Sequence, residues 1–438
     1  MSKHLAVLIA AAILPALTFA VPAQARTQYP YTLIDLGTFG GPSSFLDLPA
    51  IPLTSQGVVL GAADTATVDT DSPNCPTAGY CDGYNQHAFA WRDGRLTDLG
   101  ALPGKQNSSG IYELNSYGVG AGYSENGRHD PTGRAAGVAV LFKNGQVISL
   151  GTLGGAESFA QDITGQGQVA GDSSNGTPDP FPDPNVFFPW GTETRGFVWQ
   201  NGVMHDLGTL GGADTLEYAQ NNVGQIIGAS YTNSTPNPAN GGYPTIDPYL
   251  WQHGHMTDLG TLGGTFGFAN WISPGGDVTG GYLALPDQQN FHAYLWHDGT
   301  MTDLSPVGGA PWAFGGGVND YGQVVGNETD TNGKDLIAVL WSGGHGYDLN
   351  TLVAPNRMQM VSADYITNQG DIVGHGVLPN GDQRMFLLIR NPSIPLPPAP
   401  APPRPLPAIT APPDRSISVV LALHAAHRRP MPVPSATP

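Results

Sequence analysis

This sequence of 438 residues contains few cysteines and few basic side chains. Its two cysteines, Cys75 and Cys81, exclude a disulfide-rich scaffold, and two thiols alone fill only half of a tetrahedral zinc site. Lysine and arginine together number 17 against 35 aspartate and glutamate residues, and residues 26–390 carry a net charge of −22. Nucleic acid is therefore excluded as a partner, because phosphate groups require a basic surface. An acidic surface suits solubility, a cation or a basic partner instead.

Long apolar runs are absent from the chain except at its N-terminus. There residues 5–20 are apolar, follow Lys3 and His4, and precede the small residues Ala23 and Ala25. This pattern predicts a signal peptide of residues 1–25, cleaved after Ala25. The alternative is a membrane anchor, but the run is shorter than the roughly 20 residues that span a bilayer. We therefore expect a secreted or periplasmic protein with no transmembrane segment in its mature chain.

Export also predicts a role for the two cysteines. In an oxidising compartment they are expected to close a small disulfide loop, Cys75–Cys81. Helical periodicity of useful length is absent from residues 26–390, and so are the sequence motifs of sialidases, serine hydrolases and zinc peptidases. The sequence therefore predicts an all-β protein and identifies no catalytic residue.

The chain does contain a phrase close to Met-Thr-Asp-Leu-Gly-Thr-Leu-Gly-Gly, which recurs along its length. Its aspartate falls at Asp35, Asp98, Asp206, Asp258, Asp303 and Asp348, and Ser149 takes its place once. Such near-copies indicate a repeat architecture, in which each unit buries its apolar face against its neighbours. We interpret the aspartate as structural, accepting backbone hydrogen bonds in the turn that precedes the glycines.

Each unit of about 52 residues divides into four short segments rich in β-branched and aromatic residues. In one unit these segments are residues 268–273, 277–282, 292–296 and 301–304, bounded by Gly, Asn or Asp. They are typical of antiparallel strands joined by tight turns. The spacing from the third segment to the fourth is constant, whereas nearly all insertion falls between the second and third segments.

The two ends of the repeat region complement each other. The region begins with residues 31–37, a fourth strand without its partners, and ends with residues 385–389, a third strand without a fourth. A ring in which the N-terminal strand completes the last blade satisfies both ends and removes two open sheet edges. The sequence therefore predicts a seven-bladed β-propeller over residues 26–390, closed by its N-terminal strand. The alternative is an open β-solenoid, which needs caps that the sequence does not contain.

Three segments of the repeat resemble a known bacterial family. They are His-Ala-Phe-Ala-Trp at 87–91, Met-Thr-Asp-Leu-Gly-Thr-Leu-Gly-Gly at 256–264 and Asn-Asp-Tyr-Gly-Gln-Val-Val-Gly at 319–326. They are similar to the "probable extracellular repeat, HAF family", and the likeness extends over residues 31–390, although residues 140–142 depart from the pattern. The resemblance implies an exported repeat protein. It transfers no catalytic residue, because the family carries no established activity.

Tryptophan recurs at one position of the repeat, just before the turn between the third and fourth segments. The five copies are Trp91, Trp199, Trp251, Trp296 and Trp341. We predict that they pack between adjacent blades, the alternative being that they stack on a ligand.

Two groups of residues are candidates for binding. The register of the repeat places Glu157, Asp214 and Trp312 near the mouth of the central channel, each in a different blade. The long insertions, residues 64–85, 172–194 and 231–247, are expected on the same face as the Gly-Thr-Leu-Gly-Gly turns, where loops on a rigid scaffold commonly bind ligands. The aromatic residues that we expect to be exposed there are Tyr84, Trp190 and Tyr243.

These features predict an exported, non-enzymatic binding or structural repeat protein of the cell envelope or extracellular space. The alternative is a propeller hydrolase or lyase acting on a polysaccharide or glycoconjugate, since a propeller supports either role. We expect a monomer whose ligand is an extracellular or envelope glycan or protein. No metal or other cofactor is predicted, although residues 328–335 resemble a calcium loop that lacks its closing glutamate. Residues 391–438, rich in Pro and Ala, are predicted to be a disordered tail, with a docking peptide as the alternative.

Overall fold

The structure is a computed structural model that describes residues 28–45, 52–54, 56–70, 83–104, 106–182, 187–273, 275–283, 291–303, 312–319, 321, 323–329, 337–342 and 345–398. The proposed signal peptide, Cys75 and Cys81, and residues 399–438 lie outside the described residues. The predictions made for them stay predictions.

Seven sheets of four antiparallel strands form the fold. Blade 1 contains β2 (Gly40–Phe45), β3 (Val59–Val68), β4 (Tyr84–Arg92) and β5 (Arg95–Gly100). Blade 2 contains β6 (Ser109–Leu114), β7 (Gly120–His129), β8 (Ala135–Lys143) and β9 (Gln146–Gly151). Blade 3 contains β10 (Ser158–Ile163), β11 (Val169–Pro178), β12 (Thr192–Gln200) and β13 (Val203–Asp206). Blade 4 contains β14 (Thr215–Gln220), β15 (Ile226–Tyr231), β16 (Ile246–Gln252) and β17 (His255–Asp258).

Blade 5 contains β18 (Gly267–Ile272), β19 (Val278–Leu283), β20 (Phe291–His297) and β21 (Thr300–Asp303). Blade 6 contains β22 (Trp312–Val318), β23 (Val324–Thr329), β24 (Ile337–Ser342) and β25 (His345–Asp348). Blade 7 contains β26 (Gln359–Ile366), β27 (Ile372–Val377), β28 (Gln383–Arg390) and the N-terminal strand β1 (Tyr31–Asp35). Two short 3-10 helices, Pro238–Asn240 and Leu349–Thr351, are the only helical segments in the described part of the chain.

The N-terminal strand closes the ring. β1 is the outermost strand of blade 7 and pairs with β28 from Tyr31 opposite Arg390 to Asp35 opposite Phe386. Blade 1 then joins blade 7 directly, because the backbone N–H of Met385 donates to Ser44 Oγ at 3.1 Å. The predicted seven-bladed propeller is therefore confirmed, and the open solenoid is wrong.

The recurring aspartates shape the turns between blades. Oδ1 of Asp98, Asp206 and Asp258 accepts the backbone N–H of the glycine two residues later at 2.7–2.8 Å. The same bond is made at Asp35, and Ser149 Oγ replaces the carboxylate at 3.2 Å. In blade 6 the equivalent Asp348 accepts from Asn350 and caps a 3-10 turn, while the side chain of Asp303 is outside the described set. These bonds are the turn contacts predicted from the repeat.

The recurring tryptophans fill the spaces between blades. Trp199 packs on a cluster that joins Leu141 of blade 2 to Phe197 of blade 3, and Trp251 packs on a cluster that joins blades 3 and 4. Trp296 packs on a cluster of blades 4 and 5. Trp91 is buried within the largest core cluster, and Trp341 is half-buried. The predicted packing between blades is therefore seen at Trp199, Trp251 and Trp296, where apolar area is removed from water.

The first strand of each blade, nearest the ring axis, carries an irregularity of register. In blades 3 and 4 the bulge lies opposite Gly171 and Gly228 of the second strand. A Cβ at either glycine would lie within 2 Å of a main-chain carbonyl oxygen of the first strand, 1.9 Å at Gly171 and 1.8 Å at Gly228. Only glycine allows this approach, and the bulge it permits redirects the side chains that follow.

Candidate functional site

Residues that follow the bulges of four different blades approach one another at the ring axis. Glu113 and Asp162 occupy this position in β6 and β10, and Trp271 and Tyr365 occupy it in β18 and β26. The rings of Trp271 and Tyr365 lie 6.0 Å apart, although they belong to blades 5 and 7. Burial, and then the charge of Glu113 in blade 2, raise the pKa of Tyr365. We call this group, together with Glu217, the axial cluster.

Three carboxyl groups of the axial cluster form a chain across blades 2, 3 and 4. The carboxyl of Glu113 lies beside that of Asp162, which also lies beside that of Glu217. Both carboxylate oxygens of Glu217 are buried without an N–H or hydroxyl donor. A contact between two carboxyl groups is stable only when one holds a proton, because two buried anions repel each other. The three carboxyl groups therefore retain protons.

The environment of these carboxyl groups explains why they stay protonated. Burial is the main cause that raises the pKa of all three groups, and it raises that of Asp162 to about 7. The neighbouring charge of Asp162 further raises the pKa of Glu113 and Glu217. The backbone N–H of Ile163 donates to Glu113 Oε2 at 2.6 Å and opposes this shift. Near neutral pH the cluster can therefore both donate and accept hydrogen bonds.

Other side chains hold the axial cluster in position. Gln161 Nε2 donates to Asp172 Oδ2 at 2.6 Å and to the backbone oxygen of Glu217 at 3.0 Å. Asp172 Oδ1 accepts the backbone N–H of Glu217 at 2.8 Å, so blades 3 and 4 are locked together. Gln161 is the residue that the bulge leaves outside the ladder, and Asp172 follows the second-strand glycine.

Blade 7 repeats this pairing with different chemistry. There the bulge residue is Asp364, whose Oδ2 lies 2.7 Å from Nδ1 of His375, the residue after the second-strand glycine. Ser362 Oγ donates to Oδ1 of the same carboxylate at 2.7 Å. Because the serine bonds the aspartate and not the histidine, this group is not a nucleophile–base–acid relay. The three side chains form a polar group beside Tyr365.

The residues of the axial cluster differ in how far they are buried. Asp162 and Glu217 are 4% and 1% exposed, whereas Glu113, Trp271 and Tyr365 are half-buried. These half-buried residues lie at the ends of first strands that lead into the hairpins to the second strands. The cluster therefore opens on the face formed by the short hairpins, which we call the hairpin face.

Hydrogen bonds between neighbouring blades stiffen the hairpin face. Side-chain amides of one hairpin donate to a carbonyl oxygen of the next hairpin at 3.0–3.2 Å. The three pairs are Asn115 with Thr164, Asn221 with Ser273, and Asn319 with Thr367. The mouth of the axial cluster is thus built on a fixed rim.

The opposite face holds the turns between blades and the long insertions, as predicted. The backbone N–H of Gly155 donates to Ser174 O at 3.1 Å, and that of Gly212 donates to Tyr231 O at 3.0 Å. Each bond ties a turn between blades to the strand that enters an insertion. We call this side of the ring the insertion face.

Glu157 and Asp214 begin their inner strands at the insertion face, but the structure does not bring them together. Both are fully buried. The Glu157 carboxyl lies near Asp130 and Trp190, and burial is the main cause that raises its pKa. Asp214 accepts the backbone N–H of Thr194 at 2.7 Å, and burial followed by the charge of a neighbouring aspartate raises its pKa to about 8. Trp312 lies in β22, but its side chain is not among those described.

The expectation that Trp190 is exposed is wrong. Its side chain is 1% exposed, stacks on Phe188 with ring centroids 4.6 Å apart, and meets Phe159 edge to face at 5.4 Å. The insertion of blade 3 folds inward because its run of aromatic residues gains more from burial than from contact with water. Tyr84 and Tyr243 are half-buried, and Tyr243 packs on the same core cluster.

The sequence analysis did not predict the axial cluster. The predicted residues lie at the starts of the inner strands, whereas the cluster lies near their ends. One signal was present: residues 113, 162, 271 and 365 share a place in the repeat but differ in type. A position that varies within a regular repeat is a candidate for function.

The described part of the chain holds no group of three or more His, Cys, Asp or Glu residues arranged for a metal ion. The hairpin of β16 and β17 carries two histidines, His253 and His255, and both are exposed. The side chains of residues 328–335 lie outside the described set. Within the described residues no helix is long and apolar enough to cross a membrane.

No family model and no curated protein matches the sequence. Solved structures match it by fold. One is the β-propeller domain of the Trilobed protease from Pyrococcus furiosus, with 9% identity, a TM-score of 0.44, and coverage of 79% of this chain and 93% of that chain. A puromycin-hydrolyzing peptidase from Mycobacterium tuberculosis has 12% identity, a TM-score of 0.48, and coverage of 81% and 54%. A PL25 ulvan lyase has 10% identity, a TM-score of 0.43, and coverage of 81% and 94%.

The buried carboxyl groups predict that the protein loses stability as pH rises. The pKa values of Asp162 and Asp214 in the folded chain are about 7 and about 8, above the ordinary value of 3.8. Between pH about 4 and 8 the folded chain therefore binds more protons than the unfolded chain. Their contribution to stability is complete below pH about 4 and is lost as pH rises through 7 and 8. Circular dichroism melts should give a midpoint at pH 5 that is about 5 °C or more above that at pH 8.5.

Matched variants test the origin of this pH dependence. Replacing both carboxyl groups in Asp162→Asn/Asp214→Asn should make the profile less steep, because the amides do not titrate, whereas Glu113, Glu157 and Glu217 remain. Replacing the exposed Asp93 by Asn should leave the profile unchanged. A midpoint that rises from pH 5 to pH 8.5 in the parent protein would contradict the prediction.

Proposed function

We propose that the protein is an exported, non-enzymatic binding module whose axial cluster takes a saccharide on the hairpin face. One observation carries this proposal: chemically different residues from blades 2, 3, 4, 5 and 7 converge at one place in an otherwise repetitive ring. Residues needed only for the fold recur from blade to blade, as the turn aspartates do. A convergent and unrepeated group on a rigid scaffold is typical of a ligand site.

The chemistry of the cluster supports a hydroxylated ligand. Trp271 and Tyr365 supply aromatic faces, on which the C–H face of a sugar ring packs. Protonated and ionised carboxyl groups at Glu113 and Asp162 can donate to and accept from neighbouring hydroxyl groups. The net charge of −22 on residues 26–390 disfavours an anionic ligand, so we expect a neutral or amino sugar.

Export rests on the sequence. The N-terminal pattern of residues 1–25 predicts a signal peptide, and the resemblance to the HAF family implies an extracellular or envelope protein. An envelope or extracellular glycan is the ligand that such a location makes accessible. Mass spectrometry of the mature protein should find Arg26 at the N-terminus, and intact Met1 in the cytoplasm would contradict this assignment.

Binding can be tested with a glycan array followed by calorimetry on the sugars retained. Trp271→Ala should weaken binding at least about tenfold, because stacking of a ligand ring on one aromatic side chain contributes on the order of 1–3 kcal/mol. Tyr365→Phe keeps the ring and should cost less. The matched control is Tyr117→Ala, which removes an aromatic side chain that is 81% exposed on a hairpin of blade 2.

Retained binding in Trp271→Ala, with all variants folded, would move the site away from the axis. Equal losses in Trp271→Ala and Tyr117→Ala would indicate a nonspecific surface effect. Either result would overturn the proposed site.

A polysaccharide hydrolase or lyase is the second candidate function. It is favoured by the half-buried Glu113, whose raised pKa suits a general acid that protonates a leaving group. The two functions differ in one measurement, since an enzyme releases shortened products from oligosaccharides that bind. If Glu113→Gln retains binding but abolishes product release, the enzymatic function replaces the binding function.

A further inference from the structure

A cleft at the seam of the ring is separate from the axial cluster. It encloses about 450 Å³ between blade 7 and blade 1. Its apolar lining comes from Ile34 and Ile389 of the outer strands of blade 7 and from Leu53 and Trp91 of blade 1. We call it the seam cleft.

The rim of the seam cleft carries two aspartates, each next to an arginine. Asp93 Oδ2 lies 3.5 Å from Arg92 Nε, and Asp371 Oδ1 accepts the backbone N–H of Arg390 at 2.8 Å. Asp93 lies in the hairpin between β4 and β5, and Asp371 lies at the hairpin between β26 and β27. The cleft therefore opens on the hairpin face. The Asp93 side chain is 92% exposed, and Ile389 is 38% exposed although it is a large apolar residue. Leu53 and Trp91 are buried, so the apolar surface that a docked segment can cover is that of Ile389 and the half-buried Ile34. The net charge of −22 on residues 26–390 favours a segment that also carries basic residues.

The chain leaves the propeller beside this cleft. β28, which lines the cleft through Ile389, ends at Arg390 on the hairpin face. The following residues stay on blade 7, because Arg390 Nη1 donates to Pro30 O at 2.9 Å and to Ile394 O at 2.8 Å. Leu396 packs on the core cluster of blades 6 and 7. Forty residues follow Pro398.

Those forty residues contain one segment with the required chemistry. Residues 417–423 read Ile-Ser-Val-Val-Leu-Ala-Leu, and residues 424–429 bring His424, His427, Arg428 and Arg429. The remainder is dominated by Pro and Ala. The tail from 391 carries a net charge of +3, opposite in sign to the propeller.

We infer that residues 417–423 of this same chain dock in the seam cleft, with the basic residues that follow them beside Asp93 and Asp371. Residues 399–416 supply the connection, and a proline-rich chain spans about 3.1 Å per residue, or about 55 Å here. The cleft belongs to the blade from which the chain leaves, so the connection is long enough. Docking covers Ile389 and braces β1, the strand that closes the ring.

Docking of a tethered segment gains from high effective concentration, so modest contacts are enough to hold it. The inference does not depend on the proposed saccharide site. Saccharide binding at the axial cluster is expected to be unchanged when the tail is altered.

Hydrogen exchange on the mature full-length chain tests the inference. The variant Val419→Asp/Leu421→Asp places two charges in the apolar segment and should raise exchange in β1 and in residues 52–54 at least about threefold. The matched control Met431→Asp/Val433→Asp makes the same kind of change nearer the C-terminus and should leave exchange unaltered. No difference between the first variant and the parent would overturn the inference.

A second variant tests the cleft side. Ile389→Asp should raise exchange as the tail variant does, and combining the two should add little, because both remove one interaction. Additive effects would show that the tail acts elsewhere and would overturn the inference. If Ile389→Asp does not fold, the tail variant decides alone, since its substitutions lie outside the propeller. Protection that depends on protein concentration would assign the cleft to a second copy of the chain and also overturn the inference.

Discussion

Deleting residues 27–37 is expected to lower the free energy of unfolding by about 5 kcal/mol or more, which approaches the whole stability of many domains. The deletion removes β1 and with it the buried side chains of Tyr31 and Leu36. It also leaves β28 as an unpaired outer edge, which promotes aggregation. Urea denaturation followed by tryptophan fluorescence measures the first effect, and light scattering measures the second.

The matched control for this deletion removes residues 430–438, which follow the segment that we infer to dock. That truncation takes away a similar number of residues but no strand of the ring, so it should change the free energy of unfolding by less than about 1 kcal/mol. A protein without β1 that is as stable as its parent would show that the ring holds without its closing strand.

The closing strand is the feature that the sequence made most predictable. The pattern of residues 31–37 predicts a fourth strand without a third, and that of residues 385–389 predicts a third strand without a fourth. The two ends therefore complete each other. The role of the turn aspartates could be predicted equally well, because a short carboxylate two residues before a glycine accepts the glycine N–H within the same turn. Both predictions depend only on neighbours in sequence or on the regular repeat.

The inward fold of the blade 3 insertion could be predicted in part from the sequence. The segment 181–190 contains Phe181, Phe187, Phe188 and Trp190, which is too apolar for an exposed loop. Connecting loops usually run over the surface, which predicts exposed side chains, but the gain from burying this run of aromatic residues is larger. The result is that the insertion face buries aromatic rings and the polar site opens on the other face.

The contact between Asp162 and Glu217 was beyond prediction from repeat position alone. In the repeat, Glu217 aligns with Ala160, and Asp162 aligns with Ala219, yet the carboxyl groups of Asp162 and Glu217 lie beside each other. The bulges shift register within each inner strand, so residues at different repeat positions meet across blades. Such contacts depend on three-dimensional placement that periodicity does not encode.

The bulges themselves depend on the second-strand glycines, and Gly228→Ala is expected to cost about 3 kcal/mol or more. The new Cβ would lie 1.8 Å from the backbone oxygen of Leu216 and 2.9 Å from the ring of Tyr249. Because the closest obstacle is main chain and not the end of a flexible side chain, the bulged strand β14 must move. That movement would displace Glu217, which lies in β14 next to Leu216, and break the contact with Asp162.

The matched control is Gly165→Ala, in the hairpin between β10 and β11. The backbone of Gly165 is outside the left-handed region, and its added Cβ would meet only Ser116 Oγ at 3.9 Å. This variant should remain within about 0.5 kcal/mol of the parent. Urea denaturation of both variants gives the stability difference, and the pH dependence of the melting midpoint reports on the carboxyl chain. If Gly228→Ala is as stable as Gly165→Ala and keeps the parent's pH profile, close packing at the bulge does not hold the axial cluster together.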